Sequence, residues 1–331
     1  MSKIHVDFIR GKEVESSHQV KVLVTNANGK TVLSTNNDNE FFFPRSSIKI
    51  FQAIPFAMSN AIKNYRLSNK QIALACASHK GEKFHIRELE KWISKINLKT
   101  TSLQCGIHGP LDKKASEKII HSRKKFNELH NNCAGKHLAM LTSCLVNNHS
   151  IKNYLDYRHT HQKNIRKIFN KFTESKLLTK NFSLDGCSAP QYSFKIKSIS
   201  KALNNLIKSY KNNYHYTKQV RTLIDSIFEN PEFIGGTESF DTKVIKASKA
   251  KIFCKSGAEG VFLFVDIQKE ISGVVKITDG NERAIPIAII KIFKKLKIMN
   301  REELKNLEKN EKFELENHAG KKIGHISFTM R

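Results

Sequence analysis

The stretch from residue 260 to residue 277 decides the fold class, because two strongly apolar segments flank a short polar turn. It reads Gly260-Val261-Phe262-Leu263-Phe264-Val265-Asp266, then Ile267-Gln268-Lys269-Glu270-Ile271-Ser272, and then Gly273-Val274-Val275-Lys276-Ile277. Valine, isoleucine and phenylalanine at this density favour β-strands. We therefore predict two strands on either side of the polar turn at 268–270.

The rest of the chain extends this pattern at both ends. Val20, Val22 and Val24 precede Asn28-Gly29, a strong hairpin turn, and Val32 continues the second arm. Further strands are predicted over 40–43 and 323–329, with a helix over 283–297. The middle of the chain is helical by pattern, over 86–97, 115–130, 137–147, 159–173, 198–212 and 216–229.

These elements predict an α/β fold of the α+β type. Strands from the N- and C-terminal parts form one antiparallel sheet, the helix near the end covers one face, and helices from the middle cover the other. The length of 331 residues allows a single domain over 1–331. The helical middle, about 86–230, is a possible subdomain inserted between the ends that form the sheet.

The charge balance raises a nucleic-acid hypothesis. Lys and Arg number 57 against 30 Asp and Glu, which gives a net charge of +27. The lysines, however, are spread through every predicted element, with no basic tail and no arginine-rich stripe. A lysine-biased genome explains the charge more simply, so nucleic-acid binding is kept only as a rival function.

The N-terminus and the cysteines indicate a cytoplasmic protein. Residues 1–7 lack the apolar region of a secretion signal, and no later apolar stretch reaches the length of a membrane span. The chain has six cysteines, which we expect to be reduced thiols.

A serine–lysine pair is the first candidate site. Four Ser-x-x-Lys quartets occur, and only the one at Ser46 and Lys49 follows a strand-like aromatic run and opens an apolar segment. This setting predicts Ser46 near a helix N-terminus, where backbone N–H groups stabilise an oxyanion. Lys49 lies about one turn further along, and burial would let it act as a neutral base. A simple helix cap and a surface lysine are the alternatives.

Two further segments complete this candidate site. Ser78 ends a run of small apolar residues and could relay a proton. Lys255, in Lys255-Ser256-Gly257, could bring a second ammonium beside Lys49 if its segment forms an edge strand. Ser78 as an ordinary turn residue remains an alternative.

The order of these three motifs resembles the penicillin-recognising serine hydrolases, which include β-lactamases, peptidases and serine-type glutaminases. In that family an asparagine usually stands two residues after the second serine, where this chain has Lys80. The departure argues against classical β-lactam chemistry.

A cysteine–lysine constellation is the second candidate site. Cys133 and Lys136 form the chain's only Cys-x-x-Lys, and Cys187 lies in a separate loop. Thiolates suit Zn²⁺, and a lysine can join them if it loses its proton. Isolated buried cysteines are the alternative.

Together the motifs resemble the zinc-containing L-asparaginase II family of Rhizobium type. The segments that carry the resemblance are Phe43-Pro44-Arg45-Ser46-Ser47, Cys76-Ala77-Ser78-His79, Cys105-Gly106-Ile107-His108, Asn131-Asn132-Cys133-Ala134-Gly135-Lys136-His137, Asp185-Gly186-Cys187 and Lys255-Ser256-Gly257-Ala258-Glu259-Gly260.

The resemblance implies a serine-β-lactamase-like fold, a homodimer, and hydrolysis of L-asparagine to L-aspartate and ammonia. It implies that Ser46, Lys49, Ser78 and Lys255 are catalytic, and that Cys133, Lys136 and Cys187 bind Zn²⁺. It assigns Arg45, Asp185 and His137 to positions near the metal and the substrate. A serine-type glutaminase is the nearest alternative, because the two substrates differ by one methylene.

Overall fold

The computed structural model describes residues 3–309 and 311–330. The chain forms two compact units, and each is described by itself. The sheet unit comprises the described residues of Met1–Ser47, Phe194–Ile207 and Lys243–Arg331, and the helical unit comprises Ile48–Ser193 and Lys208–Thr242. The predicted single domain over 1–331, with its helical subdomain, stays a prediction.

Most strands belong to the sheet unit. In chain order the strands are β1 (Ile4–Arg10), β2 (Glu13–Asn26), β3 (Thr31–Ser34), β4 (Phe41–Phe42), β5 (Phe182–Leu184), β6 (Pro190–Tyr192), β7 (Phe194–Lys195), β8 (Ile252–Gly257), β9 (Val261–Asp266), β10 (Ile271–Ile277), β11 (Glu314–Glu316) and β12 (Lys322–Met330).

The main sheet has the strand order β11-β12-β1-β2-β10-β9-β8, and β3 pairs with β2. Its pairings are antiparallel. The predicted antiparallel sheet from both ends of the chain is therefore confirmed, since β1 lies between β2 and β12. The prediction that the strand at 40–43 belongs with these is wrong, because β4 pairs with β7 in a separate two-stranded sheet.

The predicted N-terminal hairpin is confirmed. Val24 in β2 lies opposite Leu33 in β3. In the turn between them, the N–H of Gly29 donates to the carbonyl of Asn26, and the N–H of Asn26 donates to the carbonyl of Lys30. Gly29 has φ +85°, a backbone conformation that glycine adopts without steric cost.

The helices carry most of the middle of the chain. They are α1 (Lys49–Met58), α2 (Ala61–Asn64), α3 (Asn69–Leu74), α4 (Lys83–Lys95), α5 (Lys113–His121), α6 (Ala134–Val146), α7 (Thr160–Thr173), α8 (Ile196–Lys211), α9 (Thr217–Glu229), α10 (Glu232–Gly235), α11 (Phe240–Ala247), α12 (Ile285–Lys295) and α13 (Arg301–Glu308).

The predicted helices match α4, α6, α7, α8, α9 and α12 to within a few residues. The prediction over 115–130 is wrong beyond His121, because α5 ends there and Arg123 adopts φ +54°. A separate 3₁₀ turn, Glu128–His130, begins where the Asn127 side chain accepts from the N–H of Leu129. Within the described ranges, no helix is long and apolar enough to cross a membrane.

One face of the main sheet packs on α12. A row of directly opposed residues crosses four strands, namely Cys254, Phe264, Gly273 and Val24. The ring of Phe264 lies 4.9 Å from that of Phe293 in α12, edge to face. A Cβ on Gly273 would lie 2.2 Å from the Phe264 ring, so glycine makes room for it.

The other face packs on the first part of α8. Thr25 and Ser272 lie opposite each other in β2 and β10, one residue along from the first row and therefore on the opposite face. Both hydroxyls hydrogen-bond the side chain of Asn204 in α8. Because both faces are covered, β9 is buried along its whole length, which explains its unbroken apolar sequence.

The helical unit is built around α1. Every residue from Lys49 to Phe56 in this helix is buried. Phe51 packs against Phe172 at 5.1 Å between ring centroids, and Phe56 packs against Trp92 of α4 at 5.6 Å. A helix that is apolar on all sides belongs in a core, so Lys49 at its start enters the protein interior.

Candidate active site

Ser46 lies in a short 3₁₀ turn, Arg45–Ile48, directly before α1. Ser47 closes this turn, because its N–H and its hydroxyl both donate to the carbonyl of Pro44, at 3.2 and 2.6 Å. Arg45 has φ +53°, an uncommon conformation for a residue with a side chain. Ser46 and Arg45 belong to the sheet unit, and Lys49 belongs to the helical unit.

Lys255 lies in β8, the strand at one edge of the main sheet. Its side chain is buried, and its ammonium donates to the carbonyl of Ser256 at 3.0 Å. At Gly257, a Cβ would lie 2.4 Å from the carbonyl oxygen of Pro44 and 3.2 Å from the nitrogen of Ser47. The glycine of this motif therefore allows β8 to approach the turn that carries Ser46.

Lys49 is fully buried, and its side chain ends among three acceptors of the helical unit. Its Nζ donates to the carbonyl oxygen of Ala77, to Ser78 Oγ at 3.0 Å and to Cys133 Sγ at 3.2 Å. Burying an ammonium is costly unless such partners compensate it. Lys49 therefore contacts both Ser78 of the predicted catalytic set and Cys133 of the predicted zinc-binding set.

Ser78 is held in place by backbone hydrogen bonds on both sides. It lies in the loop after α3, which begins with a capping box between Ser68 and Gln71. The N–H of Ser78 donates to the carbonyl of Ile234 at 2.9 Å, and the N–H of His79 donates to that of Asn132 at 3.2 Å. The hydroxyl is therefore presented from a fixed backbone.

Cys133 and Lys136 lie at the start of α6. Cys133 is the N-cap residue, and its N–H donates to Asn131 Oδ1 at 2.9 Å. Lys136 is one turn further on, with its side chain 3% exposed. Its Nζ lies 3.0 Å from Cys187 Sγ and 3.9 Å from Asp185 Oδ2.

The turn between β5 and β6 supplies Cys187 and Asp185. The N–H of Asp185 donates to the carbonyl of Ala189, and the N–H of Ser188 donates back to that of Asp185. Ser188 has φ +63° in this tight turn. The geometry directs both the thiol and the carboxylate towards Lys136.

The pKa values of the two thiols, Cys187 and Cys133, are shifted in opposite directions. The hydrogen bond from Cys133 and the ammonium of Lys136 lower the pKa of Cys187 to about 5. The same hydrogen bond and burial raise the pKa of Cys133 to about 12. Burial alone would lower the pKa of Lys136, but Cys187, Cys133 and Asp185 outweigh it and raise that pKa. Cys187 is thus a thiolate, Cys133 is a thiol, and Lys136 is an ammonium.

His137 is buried directly after Lys136. Its backbone N–H donates to the carbonyl of Cys133 at 3.1 Å, and its Nδ1 lies 2.7 Å from the hydroxyl of Tyr154. Burial and the neighbouring Lys136 lower the pKa of His137 to about 3. The ring is therefore neutral at physiological pH.

The positions predicted from the sequence thus fall into two groups of contacts. Ser46 and Lys255 lie in adjoining segments of the sheet unit. The helical unit holds the others in one connected cluster, namely Lys49, Ser78, Cys133, Lys136, His137, Asp185 and Cys187. Over this same stretch of chain, the model of the L-asparaginase II family matches residues 6–328. The chain belongs to the L-asparaginase II family.

Membership in the L-asparaginase II family supports an amidohydrolase of the asparaginase type. A search among curated proteins finds no match. Among solved structures, a "putative beta-lactamase from Bacteroides dorei DSM 17855" aligns over 88% of this chain and 93% of its own, with 9% identity and a TM-score of 0.40.

The predicted zinc ligands of this L-asparaginase II chain fit the ion by their donor chemistry. In the part of the chain that the structure describes, no group of three or more His, Cys, Asp or Glu side chains is arranged to hold a metal. The predicted set takes its third donor from Lys136 instead. Its Nζ contacts Cys187, and Cys187 also accepts a hydrogen bond from Cys133. Two sulfur atoms and one amine therefore lie close together. The two sulfur atoms suit Zn²⁺, and the amine of Lys136 would join them only after losing its proton.

The sequence reasoning missed Tyr154 and Gln104. Tyr154 is fully buried and contacts His137, and its hydroxyl accepts from the N–H of Gln104 at 2.9 Å. Neither residue lies in a helix or strand, so no periodic pattern marks them. The only available signal was that an aromatic residue interrupts the polar stretch after α6.

Proposed function

We propose that this protein is an L-asparaginase of the zinc-containing Rhizobium type, which hydrolyses L-asparagine to L-aspartate and ammonia. The observation that carries the proposal is the position of Lys49. Its buried ammonium lies 3.0 Å from Ser78 Oγ and 3.2 Å from Cys133 Sγ. One lysine thus belongs to the serine–lysine set and also contacts the set proposed to bind zinc.

The proposed chemistry is acyl transfer through a serine ester. Ser46 Oγ attacks the side-chain amide carbon of asparagine while neutral Lys49 accepts the hydroxyl proton. Ser78, whose Oγ lies 3.0 Å from Lys49 Nζ, relays this proton from Lys49 to the departing nitrogen with the assistance of Lys255, and the nitrogen leaves as ammonia. Water then attacks the ester, which releases aspartate and returns the proton to Ser46. Backbone N–H groups at the start of α1 are proposed to stabilise the oxyanion.

The proposed zinc ligands are Cys133, Lys136 and Cys187. When bound, the ion would supply a positive charge that orients the substrate. Asp185 is proposed to bind the α-ammonium of asparagine, because its carboxylate lies beside the cluster at the Lys136 side. Arg45 and His137 are proposed as further substrate contacts. A homodimer, a cytoplasmic location and a single asparaginase domain complete the proposal.

Ammonia release from L-asparagine and L-glutamine tests the activity. We expect turnover of asparagine by the wild type, loss in Ser46→Ala, and a raised KM after chelation. Ser122→Ala is the matched control, because Ser122 begins an exposed Ser-x-x-Lys quartet and should leave turnover unchanged. Preference for glutamine would favour the glutaminase alternative, and turnover of nitrocefin would favour a β-lactamase.

Covalent trapping tests the order of the two serines. An adduct located by peptide mass spectrometry on Ser46 supports the proposed attack, and an adduct solely on Ser78 contradicts it. A protein that releases no ammonia but binds RNA with strong salt dependence, unaffected by Ser46→Ala, would instead support the nucleic-acid rival.

A further inference from the structure

The side chain of His137 makes one hydrogen bond, and that bond determines where the ring carries its proton. The ring is fully buried and meets the ring of Tyr154 edge to face, with centroids 5.7 Å apart. His137 Nδ1 lies 2.7 Å from Tyr154 Oη. Either atom of this pair is able to donate, so the direction depends on the other partner of Tyr154.

Gln104 sets that direction. Its backbone N–H donates to Tyr154 Oη at 2.9 Å, so the phenol oxygen already serves as an acceptor. Tyr154 is fully buried. If His137 also donated to this oxygen, the phenol proton would be a buried donor without an acceptor, which is costly. The phenol therefore donates to His137 Nδ1.

An imidazole that accepts at Nδ1 carries its hydrogen on Nε2 when it is neutral. His137 Nε2 is buried and has no hydrogen-bond partner among the residues that the structure describes. His137 directly follows Lys136 in α6, and its backbone N–H donates to the carbonyl of Cys133 at 3.1 Å, so the residue borders the lysine–cysteine cluster. A buried N–H donor without an acceptor is costly, and a ligand bound beside the cluster would supply that acceptor.

We infer that Tyr154 is a positioning residue that holds His137 in the Nε2–H tautomer, and that this N–H donates to the α-carboxylate of the bound amino acid. The second half rests on the proposed function. The α-carboxylate is the acceptor of choice because it shares a carbon with the α-ammonium assigned to Asp185, whose carboxylate lies 3.9 Å from the Nζ of Lys136, the residue before His137. A donor fixed in this way discriminates α-amino acids from simple amides.

Nitrogen NMR on protein labelled with ¹⁵N-histidine tests the tautomer without reference to activity. The His137 signals are assigned by their loss in His137→Gln. A protonated Nε2 and a bare Nδ1 in the wild type are the expected result. A protonated Nδ1, or an equal mixture, would overturn the role of Tyr154 even if the enzyme is active.

Tyr154→Phe keeps the ring but removes the phenol proton. It should produce a second His137 tautomer in the spectrum and a several-fold rise in KM. Tyr192→Phe is the matched control, because Tyr192 is also fully buried in the helical unit and its hydroxyl bonds Arg166 instead. An unchanged tautomer in Tyr154→Phe would contradict the inference.

Two substitutions of His137 test the donor. Glutamine is long enough to place an amide N–H near the Nε2 position, whereas asparagine reaches only the Nδ1 position. We expect a KM for L-asparagine about 10–100-fold higher in His137→Asn, with kcat little changed, and near wild-type KM in His137→Gln. A loss of kcat instead, or equal effects in both variants, would overturn the carboxylate contact.

Failure of this inference is distinguishable from failure of the proposed function. If the wild type releases no ammonia from asparagine, the proposed function and the carboxylate contact both fail, while the NMR result still decides the role of Tyr154. If the wild type is active and His137→Asn keeps its KM, the function stands and the carboxylate contact is wrong.

Discussion

Lys49 and Lys136 are both buried, but the side chains that contact each ammonium differ. Both lie in the first turn of a helix, α1 and α6, where the macrodipole disfavours a cation. Lys136 faces the Cys187 thiolate and the Asp185 carboxylate. Lys49 donates to a carbonyl, a hydroxyl and the Cys133 thiol, all uncharged.

This difference teaches that burial alone does not assign a role to a lysine. Anions compensate the ammonium of Lys136 and hold it next to sulfur, which suits a side chain that shares in binding a metal. The ammonium of Lys49 lies within hydrogen-bond distance of the Ser78 hydroxyl, which suits a side chain that exchanges a proton with a serine. Cys133 contacts Lys49 directly, and it hydrogen-bonds Cys187, the thiolate that contacts Lys136.

Replacing each lysine by methionine is the strongest test of this comparison. Lys49→Met should lower kcat about 10²–10⁴-fold, because it removes the proposed general base, while the proposed zinc ligands are kept. Lys136→Met should lose zinc and raise KM. Ammonia release and metal analysis measure both. If Lys49→Met retained more than about a tenth of kcat, a lysine base at this position would be refuted.

Replacing a cysteine of the cluster by serine tests the proposed zinc site beside Lys136. If Cys133 is a zinc ligand as proposed, Cys133→Ser should weaken zinc binding by more than the roughly 10–100-fold typical of an indirect contact. Cys144→Ser is the matched control, since Cys144 is fully buried in the same helix but outside the cluster. Metal content after dialysis is the measurement. Equal zinc in both variants would rule out Cys133 as a ligand.

Asp185→Asn removes one anion from the Lys136 side. We expect KM for L-asparagine to rise about 10–100-fold with a smaller change in kcat, because a charged contact to the α-ammonium is lost. Asp225→Asn, which alters a carboxylate bonded to Tyr210, should leave KM unchanged. Steady-state kinetics on both variants decide the matter, and a kcat effect without a KM effect would argue against substrate binding by Asp185.

Gly257→Ala tests whether activity also needs the turn that carries Ser46. The new Cβ would press on Pro44 and Ser47, so we expect kcat to fall about threefold to tenfold, less than the roughly 100-fold typical of a 1 Å displacement. Gly273→Ala is the control, because its Cβ meets Phe264 instead. Thermal unfolding should show both variants destabilised. Equal kcat in the two would indicate that the Ser46 turn is not needed.

Several elements were predictable because their local pattern is strong. The hairpin at Asn28-Gly29, the two apolar strands β9 and β10, and the amphipathic helices of the middle all follow from periodicity and turn chemistry. Of the described strands, β1, β5, β6, β7 and β11 were not predicted, and β8 was considered only as a possible edge strand. In β1, Ile4, Val6 and Phe8 alternate with polar residues, a signal that the sequence contained. In β8, Lys255, Ser256 and Gly257 give the segment the composition of a loop, although the Lys255 side chain is buried.

The amino-acid sequence by itself determined the family, the strands with continuous apolar residues and the residue types that the proposed chemistry needs. Only the tertiary structure decided that Lys49 contacts Cys133, 84 residues away, and that Lys136 contacts Cys187, 51 residues away. It also decided that Tyr154 Oη contacts both the backbone N–H of Gln104 and Nδ1 of His137. The physical reason is that a hydrogen bond depends on positions to within a few tenths of an ångström, which no local pattern specifies.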